Sequence, residues 1–94
     1  MESSKAGKKS AGFFVYIAKC SDGTYYCGYT KNLQQRIEAH NNGSGAKYTR
    51  ARRPVTLAYY EKKKTIRQAM KREREIKALP RKQKEGIIRL FIKN

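Results

Sequence analysis

Residues 14–28 read Phe-Val-Tyr-Ile-Ala-Lys-Cys-Ser-Asp-Gly-Thr-Tyr-Tyr-Cys-Gly. Two short runs rich in β-branched and aromatic side chains flank Ser21-Asp22-Gly23, which is the signal of a β-hairpin. Its register decides which side chains share a face. A two-residue Asp-Gly turn would pair Cys20 with Tyr25 and set Tyr16 and Tyr26 on opposite faces. A three-residue loop, with Gly23 in the left-handed bulge position, pairs Cys20 with Thr24, Ala18 with Tyr26 and Tyr16 with Gly28. The three-residue loop sorts the side chains better. Val15, Ile17, Cys27 and Tyr29 then form an apolar face, and Tyr16, Ala18, Thr24, Tyr26 and Gly28 form the other. On that second face two phenols stand over small neighbours, which leaves room for a ligand. Tyrosine is also simply a good strand residue, and the chain has seven.

The chain's 94 residues predict one domain near the lower end of the usual size. Lys and Arg number 23 against 7 acidic residues, a net charge of +16. A field of that size implies a polyanionic partner, DNA or RNA, bound with salt-dependent affinity. An anionic membrane is the rival, but the sequence has no lipidation motif and no apolar span. Cys20 and Cys27 fall on opposite faces of the hairpin, which argues against a disulfide. Two thiols and one His are too few for a zinc site. A cytoplasmic location is expected, with no signal peptide, since the charged N-terminus is not followed by an apolar stretch.

Outward from the hairpin, residues 1–11 read as a flexible basic tail and 12–94 as the folded domain. Asn32 with Gln35 forms a capping-box pattern that opens a helix, and Asn41-Asn42-Gly43 ends it. Leu33 and Ile37 supply its buried stripe. Arg36 and His40, four apart, lie at that stripe's edge. Residues 41–53 read as a loop in which Lys47, Arg50, Arg52 and Arg53 are interleaved with Tyr48 and Thr49. Cations with an aromatic between them suit phosphates and an unpaired base; a solvated loop is the plain alternative. Pro54 to Glu61 reads as a third strand, with Val55, Leu57 and Tyr59 on one face and Thr56, Ala58 and Tyr60 on the other. Thr65 caps a helix whose inward stripe is Ile66, Ala69, Met70, Glu73 and Ile76. Glu73 takes a slot meant for an apolar residue, so its carboxylate needs a partner, either a metal or one of the many cations. Leu79-Pro80 breaks this helix. Arg81 to Phe91 forms a last one, with Gln83, Ile87, Leu90 and Phe91 as its packing face.

Tyr16, Tyr26, Arg36, His40 and Glu73 are the residue types that phosphodiester hydrolysis uses. A carboxylate holds a divalent cation that polarises the phosphate. A guanidinium neutralises charge growing on phosphoryl oxygens. A hydroxyl or imidazole positions or deprotonates the attacking water. A free phenol is a poor base and needs a nearby cation, such as Arg36 or the metal, to lower its pKa.

The set resembles the GIY-YIG endonuclease superfamily. Phe14-Val15-Tyr16 stands for its first signature and Tyr26-Cys27-Gly28 for its second, followed in order by Arg36, His40 and Glu73. The stretch from Gly43 to Arg50 and the run from Glu75 to Glu85 are similar to the small, stand-alone bacterial branch. The resemblance implies an α+β fold, a three-stranded antiparallel sheet in β-β-α-β-α-α order flanked by helices. It also implies metal-dependent cleavage of a nucleic-acid phosphodiester with Mg²⁺ or Mn²⁺. Glu73 would hold the metal, Arg36 would stabilise the phosphate, Tyr16 would activate water and Tyr26 would support it. His40 would assist proton transfer or orient the phosphate, or be an ordinary surface histidine. Phe14 replaces the first glycine and Cys27 the central isoleucine; neither position carries chemistry. No domain that selects DNA sequence is visible. The expectation is therefore a structure-selective or non-specific DNA endonuclease, in repair or recombination, with DNA favoured over RNA and no obligatory protein partner. The alternative is a basic nucleic-acid-binding module without catalysis.

Overall fold

A computed structural model describes residues 12–93. The basic tail expected at residues 1–11 lies outside the described residues. Three strands, β1 (Phe13–Lys19), β2 (Tyr25–Thr30) and β3 (Thr56–Lys63), form an antiparallel sheet in the order β2-β1-β3. The helices are α1 (Leu33–Asn41), α2 (Lys47–Arg50), α3 (Ile66–Ala78) and α4 (Arg81–Lys93). This is the expected α+β order, with one addition. The segment read as a loop after Asn42 contains the single turn α2.

The hairpin adopts the three-residue loop. Cys20 N–H donates to Thr24 O at 2.8 Å, and Gly23 N–H donates back to Cys20 O at 3.0 Å. Gly23 sits at φ 86°, a conformation that a side chain would strain. Asp22 Oδ1 accepts from both the backbone N–H and the hydroxyl of Thr24, which closes the turn. Tyr16 consequently pairs with Gly28, Ile17 with Cys27 and Ala18 with Tyr26.

Because side chains alternate along a strand, the sheet buries both faces. Val15, Ile17 and Cys27 pack with Ala69 and Ile76 of α3 and Ile88 of α4. Tyr16 and Ala18 pack on the opposite face with Cys20 and Val55, and Leu33 and Ile37 of α1 lean on them. Cys20 and Cys27 thus belong to different clusters, and both are free thiols. Asn32 and Thr65 cap their helices as expected, their side chains accepting from the backbone N–H of Gln35 and Gln68.

Three packing expectations are corrected. In β3 a register shift opposite Ile17 and Ala18 leaves Ala58 out of the pairing, so Leu57 and Tyr59 no longer share a face. Val55 joins the Tyr16 cluster, whereas Ala58 and Tyr59 lean on the Val15 cluster. In α3 the inward stripe narrows to Ala69 and Ile76, with Ile66 and Met70 exposed. In α4 the core residue is Ile88, 9% exposed, while Leu90 is 64% exposed and Gln83 is exposed as well. Phe91 does pack inward, edge-on to Tyr59 and Tyr60.

Beside this core, Glu61 gathers a polar knot. Arg72 approaches it through Nε and Nη2, Tyr59 donates its hydroxyl and Lys63 lies at 3.2 Å. Burial works to raise the carboxyl pKa, but these hydrogen bonds, led by Arg72, outweigh it and bring it to about 2. None of the helices among the described residues is long and apolar enough to cross a membrane.

Candidate active site

Tyr16 stands at the middle of the central strand and is fully buried. Its ring lies against Gly28 of the neighbouring strand: a Cβ there would sit 2.7 Å from the phenol oxygen. The space that the sequence offered to a ligand is therefore filled by Tyr16 itself. This explains why a glycine follows Tyr26 by two positions, since any side chain at 28 would expel the ring.

Two side chains of α1 meet the Tyr16 hydroxyl. Arg36 Nε–H donates to Oη at 3.3 Å, and His40 Nε2 lies 2.8 Å from the same oxygen. Residues four apart on a helix share a face, which is what brings both to one atom. His40 is fully buried rather than a surface histidine. Its other ring nitrogen, Nδ1, lies 2.8 Å from Thr49 Oγ1, and that hydroxyl is 3.0 Å from Ala46 O, to which it can donate. Gly45 permits this approach, because a Cβ there would stand 2.4 Å from Nδ1. Neither Thr49 nor Gly45 is a candidate site residue from the sequence, where Thr49 enters only as part of the loop. The available signal was the short polar stretch that follows the histidine.

The electrostatics follow from burial. Burial first, and the charge of Arg36 second, hold His40 below its usual pKa of 6.5, so the ring is neutral at neutral pH. Burial likewise pushes Tyr16 up to about 12, despite the counteracting Arg36, so the phenol keeps its proton. The hydrogen bond to Tyr16 holds Arg36 firmly in its charged form.

Tyr26 extends the cluster outward. Its ring centroid is 6.4 Å from that of Tyr16 and 5.2 Å from that of His40, and it stacks on Tyr48 at 6.1 Å. Arg52 lies over the Tyr48 ring at 3.9 Å, gives Nη1–H to Tyr48 O and faces Asp22 at 3.2 Å. The Arg50 and Arg53 Nε–H groups donate to Gly43 O and Arg50 O. These three arginines thus brace the loop as well as charge it. Lys47 is exposed and Tyr48 is 38% exposed.

Glu73 arrives from the other layer. It lies on α3, which packs on the Val15 face, and its carboxylate is 19% exposed and 3.4 Å from Lys77 Nζ. Its charge acts on both Tyr16 and the Cys27 thiol, so it is within electrostatic reach of the phenol cluster. The layers meet at the free edge of β2. There a cavity of about 320 Å³ is lined by Tyr25, Tyr26, Cys27 and Tyr48, with Lys77 and Lys84. The structure thus brings Tyr16, Tyr26, Arg36 and His40 into one cluster, and sets Glu73 behind it.

The similarities to known proteins span all of these parts. A family model described as the GIY-YIG catalytic domain matches residues 12–86. A UPF0213 protein of Staphylococcus aureus (strain Mu50) is 54% identical over 76 residues, 81% of this chain and 93% of that protein. The solution NMR structure of the UPF0213 protein BH0048 from Bacillus halodurans is similar with a TM-score of 0.55 and 42% identity over 84% of each chain. That of the protein EF2693 from E. faecalis is similar with a TM-score of 0.58 and 40% identity over 88% of each chain. The matched residues run from the hairpin into the first half of α4, and most of the length of each chain is covered, so this chain belongs to the GIY-YIG family of catalytic domains.

Proposed function

We propose that the chain is a metal-dependent endonuclease that hydrolyses phosphodiester bonds in DNA, without marked sequence preference. The observation that carries this reading is the buried line from Arg36 through the Tyr16 hydroxyl to a neutral His40. A phosphate-binding cation, a phenol and a proton acceptor share one oxygen atom.

Glu73 would hold the divalent cation, Mg²⁺ or Mn²⁺. The residues fit such an ion: a half-buried carboxylate whose close cation among the described residues, Lys77, is 58% exposed. Among the described residues no group of three His, Cys, Asp or Glu could cage a metal unaided. Mg²⁺ is commonly held by one or two carboxylates together with water and substrate phosphate. When bound, the ion would polarise the phosphoryl group and stabilise the leaving oxygen.

Arg36 now covers the Tyr16 hydroxyl. A phosphate draws the guanidinium toward itself, because it offers full opposite charge and more than one acceptor oxygen where the phenol offers a single neutral one. That movement uncovers Oη. A water oxygen attacks phosphorus and the bond to the leaving oxygen breaks. The proton lost by the water goes to Tyr16 Oη as the phenol's own proton passes to His40 Nε2. The leaving oxygen takes a proton from solvent. Relayed this way, a phenol with a pKa near 12 never has to exist as a free phenolate. Tyr26 supports the ring of Tyr16 and the Arg36 charge. Lys47, Tyr48, Arg50, Arg52 and Arg53 hold the strand through phosphate contacts and the exposed part of Tyr48.

A panel of single-stranded, duplex, flapped and branched DNA, with RNA counterparts, tests this. Mg²⁺ or Mn²⁺ is expected to support cleavage, and Glu73→Ala to abolish it while leaving binding intact. A binding module without catalysis is the second reading. It draws on the full burial of Tyr16 and the pairing of Glu73 with Lys77. Tight binding with no cleavage across the panel and both metals would establish it instead.

A further inference from the structure

We propose that Thr49 is a positioning residue that holds His40 in the tautomer able to accept the Tyr16 proton; its catalytic consequence rests on the hydrolase reading above. Two arrangements of protons are possible along the buried line. In the first, Arg36 Nε–H donates to Tyr16 Oη, Tyr16 O–H to His40 Nε2, His40 Nδ1–H to Thr49 Oγ1, and Thr49 O–H to Ala46 O. Each group is matched, at 3.3, 2.8, 2.8 and 3.0 Å in turn. In the second, the proton sits on Nε2. Tyr16 Oη then faces two donors, its own buried O–H has no acceptor in the line, and Ala46 O loses the threonine. The one gain is the Ala46 N–H to Nδ1 contact, at 3.5 Å and only partly buried.

Distances decide between them. An unmatched buried hydroxyl costs more than a backbone N–H at the limit of hydrogen bonding returns. The first arrangement wins, and it leaves the Nε2 lone pair aimed at the phenol. Thr49 is the group on which the choice turns. It is fully buried, sits in the one-turn helix α2, and has its hydroxyl committed to the Ala46 carbonyl, so its oxygen is left to accept. Without that hydroxyl, the neighbour of Nδ1 is the Ala46 N–H, a donor. The proton then belongs on Nε2, where it faces the Tyr16 oxygen and blocks the relay.

His40 is the chain's single histidine, so its ring nitrogens can be read by long-range ¹H–¹⁵N NMR without ambiguity. Wild type is expected to show Nδ1 protonated and Nε2 bare near neutral pH. Thr49→Val, matched in shape, is expected to move the proton to Nε2, and Thr49→Ser to keep the wild-type pattern. Cleavage should fall about a hundredfold in Thr49→Val and recover in Thr49→Ser. A wild-type ring protonated on Nε2 overturns the proposal with no variant needed. So does a folded Thr49→Val, or Thr49→Ala should valine not fold, that keeps the wild-type tautomer. If the tautomers behave as expected but wild type cleaves nothing, the hydrolase reading fails and the positioning role of Thr49 stands.

Discussion

Tyr16 shows how little freedom a single site residue has. Its ring is seated by the missing side chain of Gly28, and its oxygen is shared by Arg36 and His40. Gly28→Ala places a methyl in that ring. It is expected to cost about 1–3 kcal/mol in denaturant unfolding, the usual cost of overpacking, and to lower cleavage by tilting Tyr16. Tyr16→Phe keeps the packing but removes the shared oxygen, so cleavage should drop by about 10²–10⁴ with little change in DNA affinity. The same residues set the pH dependence of stability. His40 stays neutral in the fold below pH 6.5, while the unfolded chain takes up a proton there. Stability is therefore expected to fall as pH drops below 6.5. Tyr16 and Tyr59, each raised to about 12 chiefly by burial, keep protons that the unfolded chain releases from pH 10 upward. Stability should therefore fall again between pH 10 and 12, which unfolding curves across that range would show.

At the scale of the element, α1 and α4 make opposite points. In α1 the cap, the apolar stripe and the terminator agree, so the four-residue spacing of Arg36 and His40 put them on one side of the helix, although the fully buried residue there is His40 rather than Leu33 or Ile37. Asn41 adds something a helix terminator need not do. Its side-chain amide donates to Val55 O and accepts from Val55 N–H, which pins the start of β3 to the end of α1. In α4 the apolar residues Ile87, Ile88, Leu90, Phe91 and Ile92 are crowded enough to support more than one inward face, and the sheet selects Ile88. Ile88→Ala is expected to cost about 2–5 kcal/mol in unfolding experiments, as buried truncations do. Leu90→Ala, at an exposed position, should stay within about 0.5 kcal/mol. Equal effects would mean that the helix is turned from the orientation described.

For the whole molecule, a net charge of +16 on 94 residues dominates encounter with any polyanion. Affinity for DNA is expected to fall steeply with salt, by about 10³–10⁵ between 50 and 200 mM if 6–10 phosphates are contacted. Titration of a labelled oligonucleotide at several salt concentrations checks this. Glu73→Ala should leave that slope unchanged, since it removes no cation from the surface. The two helical layers also divide the labour. α1 with the loop beyond it holds the Tyr16 phenol, while α3 carries the Glu73 carboxylate, and Tyr48 and Lys77 from the two layers line one cavity at the edge of β2.

Sequence by itself determined the hairpin register, the caps of α1 and α3, the split of Cys20 from Cys27 and the shared face of Tyr16 and Tyr26. These are local matters: turn chemistry, side-chain alternation and helical spacing act over a few residues and leave little choice. Only the tertiary structure decided that the room beside Gly28 belongs to Tyr16, that His40 is buried, and that Thr49 and Gly45 close around it. The bulge in β3 and the rotation of α4 were likewise beyond local reading. Each depends on which surface another element presents, and that is settled only when both faces of the sheet are covered at once.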